Sequence, residues 1–172
     1  MALYSIVIPL YNEEEVIEEC IKRVNGVCMG LDGDYEIIFV NDGSADRTVE
    51  LTLKACEKNP KIKLLSFSRN FGHQIAITAG MDYAAGDAVI VMDADLQDPP
   101  EVIPDMVARW RDGYEVVYAQ REQRDGETLF KRFTSAAFYR TLRRLAHIEI
   151  PVDTGDFRLI GPKALEAFRA MP

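Results

Sequence analysis

Apolar positions along the chain follow two alternating spacings, and these spacings predict the order of strands and helices. Short runs rich in β-branched residues predict strands at 5–10, 35–40, 62–67, 88–92, 115–119 and 157–160. Apolar residues at helical spacing predict helices at about 13–28, 46–58, 74–85, 99–111 and 128–146, and another from 162 onward. The regular succession of strand and helix predicts one α/β domain over 1–172, with a mostly parallel sheet flanked by helices.

Local signals also suggest how the first two helices begin and which faces they bury. Asn12 is expected to cap the first helix, with the glutamates at 13–15 near the positive end of the helix dipole. In the second helix, the apolar spacing predicts that Val49, Leu53 and Cys56 face inward.

Composition and charge exclude some classes of protein. The 172 residues include 28 acidic and 20 basic side chains, a net charge of −8, so we expect no nucleic-acid partner, because phosphate backbones require a positive surface. Cys20 and Cys28 lie on the apolar side of the first predicted helix and are expected to be reduced core residues of a cytosolic protein. The chain shows neither a secretory signal nor an apolar run of about 18 residues, so it is not expected to span a membrane.

Acidic residues follow two of the predicted strands, at the sheet edge where α/β proteins bind ligands. Asp42 follows the second strand, and Asp93 and Asp95 follow the nearly all-apolar fourth strand. An extended segment directs both carboxylates of Asp93-Ala-Asp95 to the same side. Because crowded carboxylates repel one another, we expect a Mg²⁺ or Mn²⁺ ion here, with Gln97 within reach as a further oxygen ligand. The alternative is a surface turn that caps the next helix, but the preceding apolar strand and Asp42 favour the metal.

Other nucleotide-binding and hydrolytic classes lack their sequence signals here. The turn after the first strand contains no glycine, which argues against a Rossmann dehydrogenase, and no G-x-x-x-x-G-K-[ST] loop is present. No Ser-His-Asp or Cys-His order stands out. The two histidines, His73 and His147, are expected to be incidental rather than ligands or bases.

Four segments, in this order, resemble family-two glycosyltransferases of the GT-A fold, which is a Rossmann-like sheet flanked by helices. They are Ile-Val-Ile-Pro-Leu-Tyr-Asn-Glu-Glu at 6–14, Val-Asn-Asp-Gly-Ser at 40–44, Asp-Ala-Asp-Leu-Gln-Asp-Pro-Pro-Glu at 93–101 and Thr-Gly-Asp-Phe-Arg-Leu at 154–159. The resemblance extends from Tyr4 to the last residue. It is strongest to the polyprenyl-phosphate glycosyltransferases, which include dolichyl-phosphate mannosyltransferase and the bacterial undecaprenyl-phosphate glucosyltransferases.

This resemblance implies roles for individual residues. The residues that it assigns to the nucleotide are Pro9, Tyr11, Glu13, Val40, Asp42, Asp93, Ala94, Asp95 and Arg121. It assigns Asp93, Asp95 and Gln97 to a Mg²⁺ or Mn²⁺ cofactor that bridges the diphosphate. Asp156 matches the catalytic acid, usually taken as the base in inverting members. Because a lipid phosphate acceptor is already ionised, Asp156 could equally orient the acceptor or the sugar, or stabilise positive charge on the sugar ring.

A locally basic stretch follows at 121–144, with seven basic and three acidic residues. Charge runs are commonly solvated helix faces. The interleaved aromatic residues, such as Phe130 and Phe133, favour instead a surface that captures a lipid phosphate or contacts an anionic leaflet. Arg124, Lys131 and Arg132 are the candidates for binding the acceptor phosphate.

The resemblance as a whole implies inverting, metal-dependent transfer of a hexose from UDP-glucose or GDP-mannose to a polyprenyl phosphate, in cell-envelope glycosylation. Members of this branch continue into membrane-associated helices, so we expect a catalytic domain truncated before such a region, acting at the cytoplasmic face of a membrane. Homo-oligomerisation stays open. Two alternatives also stay open: a soluble family-two enzyme that glycosylates a saccharide or protein, and a nucleotide-binding module without catalysis.

Overall fold

Parallel strands with apolar residues on both faces form the centre of the fold. The computed structural model describes residues 1–120 and 154–170. Its strands are β1 (Leu3–Leu10), β2 (Asp34–Asn41), β3 (Ile62–Ser66), β4 (Ala88–Val91), β5 (Val116–Gln120) and β6 (Thr154–Ile160). Its helices are α1 (Ile17–Met29), α2 (Thr48–Lys58), α3 (His73–Tyr83), α4 (Ile103–Arg111) and α5 (Pro162–Arg169), and a 3-10 turn at Pro100–Val102 precedes α4.

The sheet has the strand order β3-β2-β1-β4-β6-β5. The first four of these strands are parallel to one another, and β6 runs antiparallel to β4, with Arg158 opposite Val91. The prediction of a mostly parallel α/β sheet flanked by helices is therefore confirmed. Because β1, β2 and β4 are parallel, their carboxyl ends meet at one edge, and the segments that follow them lie side by side.

The core lies against the two central strands. In β1 and β2, all residues except the first of each strand are buried, as expected for a parallel sheet covered on both faces. Gly80 allows α3 to approach this sheet closely, because a Cβ there would lie 2.3 Å from Val7 Cγ1 and 3.0 Å from Val40 Cγ2. In α1, Cys20 and Cys28 are buried as predicted, and burial raises the pKa of each thiol to about 12.

The start of the first helix differs from the prediction. α1 begins at Ile17, and Asn12 does not cap it. Asn12 takes a left-handed backbone conformation, with φ of 56°, and its Oδ1 accepts a hydrogen bond from the Ala45 N–H in the loop after β2. The polar residues that follow β1 therefore form a loop that binds its neighbour, rather than a helical turn.

The buried face of α2 also differs from the prediction. Thr48 and Thr52 are fully buried, whereas Leu53 is 49% exposed. The Thr52 hydroxyl donates to the Thr48 carbonyl at 2.8 Å, so its polar group is satisfied within the helix and can leave water. The expectation that Leu53 faces inward is therefore wrong.

Contacts divide the chain into two units, Met1–Tyr118 with Asp156–Pro172, and Ala119–Gly155. Nearly all of the second unit, including the helix predicted at 128–146, lies outside the described residues. Within the described ranges, no helix has both the length and the hydropathy needed to cross a membrane.

Candidate active site

A cavity of about 390 Å³ lies at the carboxyl edge of the sheet. It is formed by the segments that follow β1, β2 and β4 together with the loop that leads into α3. The lining residues are Pro9, Leu10, Tyr11, Glu13, Asp42, Asn70, Gly72, His73, Asp93, Ala94 and Asp95. The cavity therefore brings together seven of the residues that the sequence assigns to the nucleotide: Pro9, Tyr11, Glu13, Asp42, Asp93, Ala94 and Asp95.

Hydrogen bonds between the loops after β1 and β2 hold one wall of this cavity. The Asn12 N–H donates to Ser44 Oγ at 3.0 Å, and Asn12 Oδ1 accepts from the Ala45 N–H at 2.9 Å. The Glu13 N–H donates to the buried Thr48 Oγ1 at 2.8 Å. These contacts fix the backbone of Glu13 while its carboxylate is left at the cavity.

Asp42 holds the opposite wall, the loop that leads into α3. Its Oδ1 accepts from the Phe71 N–H at 2.7 Å and its Oδ2 from the Gly72 N–H at 3.0 Å. The adjacent Gly43 has φ of 72°, and a Cβ there would lie 2.5 Å from the Arg69 carbonyl carbon. Both oxygens of Asp42 are thus engaged with backbone, so this side chain shapes the cavity that it also lines.

Three of the expected site residues that the structure describes, Val40, Gln97 and Asp156, lie outside the cavity lining. Val40 is fully buried in the core cluster with Val7, beneath α3, so its side chain supports the site from below. Gln97 is exposed in the turn after Asp95, and its N–H donates to Asp95 Oδ1 at 3.0 Å. The assignment of Gln97 as a metal ligand therefore stays a prediction.

His73, which the sequence predicts to be incidental, lies between two of the acids. Its Nε2 is 3.0 Å from Asp156 Oδ2 and 3.6 Å from Asp93 Oδ1. One ligand atom from each of the three residues lies within 4.8 Å of the others. The two carboxylates are donors that suit Mn²⁺, and the imidazole is a further nitrogen donor beside them. Asp95 lines the cavity but does not belong to this group of three.

The electrostatics of the cavity favour a cation. Burial raises the pKa of the Asp93 carboxyl, and Asp156 and Asp95 raise it further, against the lowering effect of His73. Burial also raises the pKa of Glu13, with Asp95 the largest of the charge effects that add to it. Carboxylates whose pKa values stay raised are not fully compensated by their neighbours, and a divalent cation would supply the missing positive charge.

Four predicted site residues cannot be placed. Arg121, assigned to the nucleotide, and Arg124, Lys131 and Arg132, assigned to the acceptor phosphate, lie outside the described residues. Their roles stay predictions from the resemblance.

Comparison with known proteins identifies close relatives. The sequence profile of the family described as glycosyl transferase family 2 matches residues 5–169. An uncharacterised glycosyltransferase of Bacillus subtilis (strain 168), YkcC, is 54% identical over 98% of this chain and 52% of that protein. A prophage bactoprenol glucosyl transferase homologue of Escherichia coli (strain K12) is 39% identical over 98% of this chain and 55% of that protein. The chain thus spans about half the length of the curated relatives it matches.

Two solved structures share the fold at low sequence identity. The mannosyltransferase PcManGT from Pyrobaculum calidifontis, in complex with GDP-Man and Mn²⁺, matches with a TM-score of 0.70 and 21% identity, over 98% of this chain and 47% of that one. Glucosyl-3-phosphoglycerate synthase from Mycobacterium tuberculosis, in complex with Mn²⁺, UDP-Glc and phosphoglyceric acid, matches with a TM-score of 0.72 and 21% identity, over 99% of this chain and 60% of that one. The chain belongs to glycosyl transferase family 2 and has the GT-A fold.

Proposed function

We propose that this chain is the catalytic domain of an inverting glycosyltransferase that transfers a hexose from a nucleotide sugar to a polyprenyl phosphate. The observation that carries the proposal is the cavity at the carboxyl edge of the sheet, where carboxylates with raised pKa values converge in a family-two chain. Bactoprenol glucosyl transferase relatives at 39% identity support the lipid acceptor and favour UDP-glucose as donor, with GDP-mannose the second candidate.

The carboxylates of Asp93 and Asp95 fit Mg²⁺ or Mn²⁺, because the burial and mutual repulsion at Asp93 favour a positive partner. His73 and Asp156 offer two further donor atoms beside Asp93. A cation bound here would neutralise the charge that develops on the nucleoside diphosphate as it leaves. The exposed ring of Tyr11, at the cavity mouth, provides an apolar surface for the donor nucleotide.

The transfer itself requires an acceptor oxygen to attack the anomeric carbon from the face opposite the diphosphate. A new bond forms from a phosphate oxygen of the acceptor to that carbon, the bond to the diphosphate breaks, and the configuration inverts. Because the phosphate is already ionised, a base is not needed. We assign Asp156, held by His73 Nε2, to orienting the acceptor or stabilising positive charge on the sugar ring. A polyprenyl acceptor also implies action at a membrane, for which we propose the cytoplasmic face.

A binding experiment tests the nucleotide and the metal first. We expect UDP or UDP-glucose, in the presence of Mn²⁺, to raise the melting temperature of the protein, and the shift to disappear with a chelator or in Asp95→Ala. Asp105→Ala, which removes an exposed acid of α4 outside the cavity lining, is the matched control and should keep the shift. If UDP, GDP and their sugars all leave the melting temperature unchanged, the proposal fails.

An activity experiment then tests the acceptor. Incubating the full-length protein with labelled UDP-glucose, Mn²⁺ and polyprenyl phosphate should move the label into the lipid phase. Label found only in an added saccharide or protein would support the soluble family-two alternative. Nucleotide binding without any transfer would support the non-catalytic module.

A further inference from the structure

A second cavity lies on the sheet between β5, β6 and α5, with a volume of about 330 Å³. Its lining residues are Val116, Tyr118, Arg158, Ile160, Ala164, Ala167 and Phe168. All but Arg158 have aliphatic or aromatic side chains. We call this set the β5–α5 groove. Val116 and Tyr118 are 38% and 46% exposed, so apolar surface of the groove faces solvent.

Arg158 is the cation of this groove, and it forms no ion pair within residues 1–120 and 154–170. Its Nε is buried there without a hydrogen-bond partner. The ion pairs found in the same ranges do not include Arg158. Leaving a guanidinium N–H buried and unpaired destabilises the protein, and an anion in the groove would remove that penalty.

Two other arginines, Arg111 and Arg169, have hydrogen-bond partners, in contrast to the Nε of Arg158. Arg111 donates to Tyr4 Oη at 2.9 Å and also pairs with Asp32, which joins α4 to the sheet. Arg169 donates to the Ala84 carbonyl at 3.0 Å, at the end of α3. Each of these guanidinium groups has a structural partner, whereas Arg158 lines a cavity.

The groove begins beside the proposed catalytic residue. Arg158 follows Asp156 by two positions in β6, so the two side chains project from the same face of the sheet, about 6.6 Å apart along the strand. Ile160 follows on the same face and lies with Phe168 in the groove. Moving away from Asp156, a ligand would therefore meet a positive charge first and an apolar surface next.

We propose that the β5–α5 groove binds the polyprenyl phosphate acceptor, with Arg158 contacting its phosphate and the apolar walls contacting the first isoprene units. The charge complementarity at Arg158 and the order of charge and apolar surface carry this assignment. It rests on the proposed function, because it identifies where that reaction holds its lipid.

The test compares the Michaelis constants for the two substrates in the full-length protein. Arg158→Gln removes the charge, and Ala167→Trp fills the groove from an exposed position. We expect each variant to raise the KM for polyprenyl phosphate about tenfold, and to change the KM for the nucleotide sugar less than about twofold. Arg109→Gln and Ala108→Trp, at exposed positions of α4, are matched controls that should change neither constant.

Binding to vesicles separates the possible sources of the phosphate. Phosphatidylcholine vesicles containing polyprenyl phosphate should retain the unmodified protein more strongly than vesicles containing polyprenol do, and Arg158→Gln should remove that difference. If inorganic phosphate competes as effectively as the lipid, the groove recognises phosphate alone and the proposal is overturned.

The nucleotide melting-temperature shift separates failure of this proposal from failure of the proposed function. If the Mn²⁺-dependent shift is present but both groove variants keep the KM for polyprenyl phosphate, the groove assignment is overturned and the function stands. If the shift is absent from the unmodified protein, the function itself fails. Should Arg158→Gln not fold, Ala167→Trp decides the question alone.

Discussion

Carboxylates lie at both edges of the sheet, but Glu36 at the amino edge pairs with a lysine, whereas Asp93 and Glu13 at the carboxyl edge lie among other acids. At the amino edge, Glu36 is 5% exposed and its two oxygens are fully engaged. Its Oε1 accepts from Ser5 Oγ at 2.5 Å and from the Ala85 N–H at 2.8 Å, and its Oε2 accepts from Lys63 Nζ at 2.6 Å. This network ties β1, β2, β3 and the segment before β4 together.

At the carboxyl edge, Asp93 and Glu13 are surrounded by other acids. Burial raises the pKa of each, and neighbouring carboxylates raise it further. Burial acts on Glu36 in the same direction, yet the hydrogen bonds from Lys63, Ser5 and the Ala85 N–H lower its pKa overall. The same residue chemistry therefore stabilises the fold at one edge, and in the proposed function it binds a cation at the other.

The largest expected difference between substitutions at the two edges is in catalytic activity. We expect Asp93→Asn to reduce sugar transfer by the full-length protein at least about a hundredfold, because in the proposed function this carboxylate holds the cation at the leaving diphosphate. Glu36→Gln, at the other edge, should retain most of the activity per folded molecule. Initial rates with labelled nucleotide sugar and Mn²⁺ measure both. Equal losses in the two variants would contradict the division of roles.

The second-largest expected effect is on stability, and here the substitution at the amino edge should cause the loss. Glu36→Ala should lower the free energy of unfolding by about 2 kcal/mol, because Ser5 and the Ala85 N–H lose a buried acceptor and Lys63 loses its ion pair. Urea denaturation of the variant and of the unmodified protein measures the difference.

Substitution of an exposed glutamate is the control for the measurement at Glu36. Glu50→Ala removes an exposed glutamate that pairs with Lys54 at 2.6 Å, and should lower the free energy of unfolding far less than Glu36→Ala does. A loss at Glu36 no larger than the loss at Glu50 would show that the amino-edge network does not stabilise the fold.

The sequence predicts the sheet well because its strands are marked locally. The run from Ala88 to Met92 is wholly apolar and lies between Asp87 and Asp93, which is sufficient to identify a buried strand. Asp93 and Asp95 could thus be assigned to the carboxyl edge from local spacing and the general rule for α/β sheets. Seven of the nucleotide residues implied by the resemblance likewise line the cavity.

His73 could not be predicted because its partner is distant in the chain. It is separated from Asp156 by 83 positions, and no regular spacing of histidine and acids marks the pair. The one local signal is its place directly after Gly72, whose φ of 108° ends the loop and starts α3. The prediction that Asn12 caps α1 is wrong for a related reason, since its tertiary partner Ala45 in the next loop overrides its preference for a helix cap.

The smallest expected effect is a stability change at the carboxyl edge, opposite in sign to that at Glu36. The folded-state pKa of Asp93 is raised from 3.8, so its favourable contribution is present below that value and is lost as pH rises through the folded pKa. At neutral pH its charge therefore weakens the metal-free fold. At pH 7 with a chelator, the melting temperature of Asp93→Asn should be a few degrees higher than that of the unmodified protein. This difference in melting temperature should become smaller as pH falls toward 4.

The pH dependence of stability at Glu36 should be opposite to that at Asp93. Its pKa is lowered from 4.5, so its contribution is present above that value and is lost as pH falls through the folded pKa. Glu36→Gln should thus have a lower melting temperature than the unmodified protein. This difference should be largest at neutral pH and should shrink in acid. Adding Mn²⁺ at pH 7 should raise the melting temperature of the unmodified protein but not that of Asp93→Asn. If Asp93→Asn instead melts lower without metal, the contact between Asp93 and His73 outweighs the repulsion among the acids, and the cavity does not need a cation for its stability.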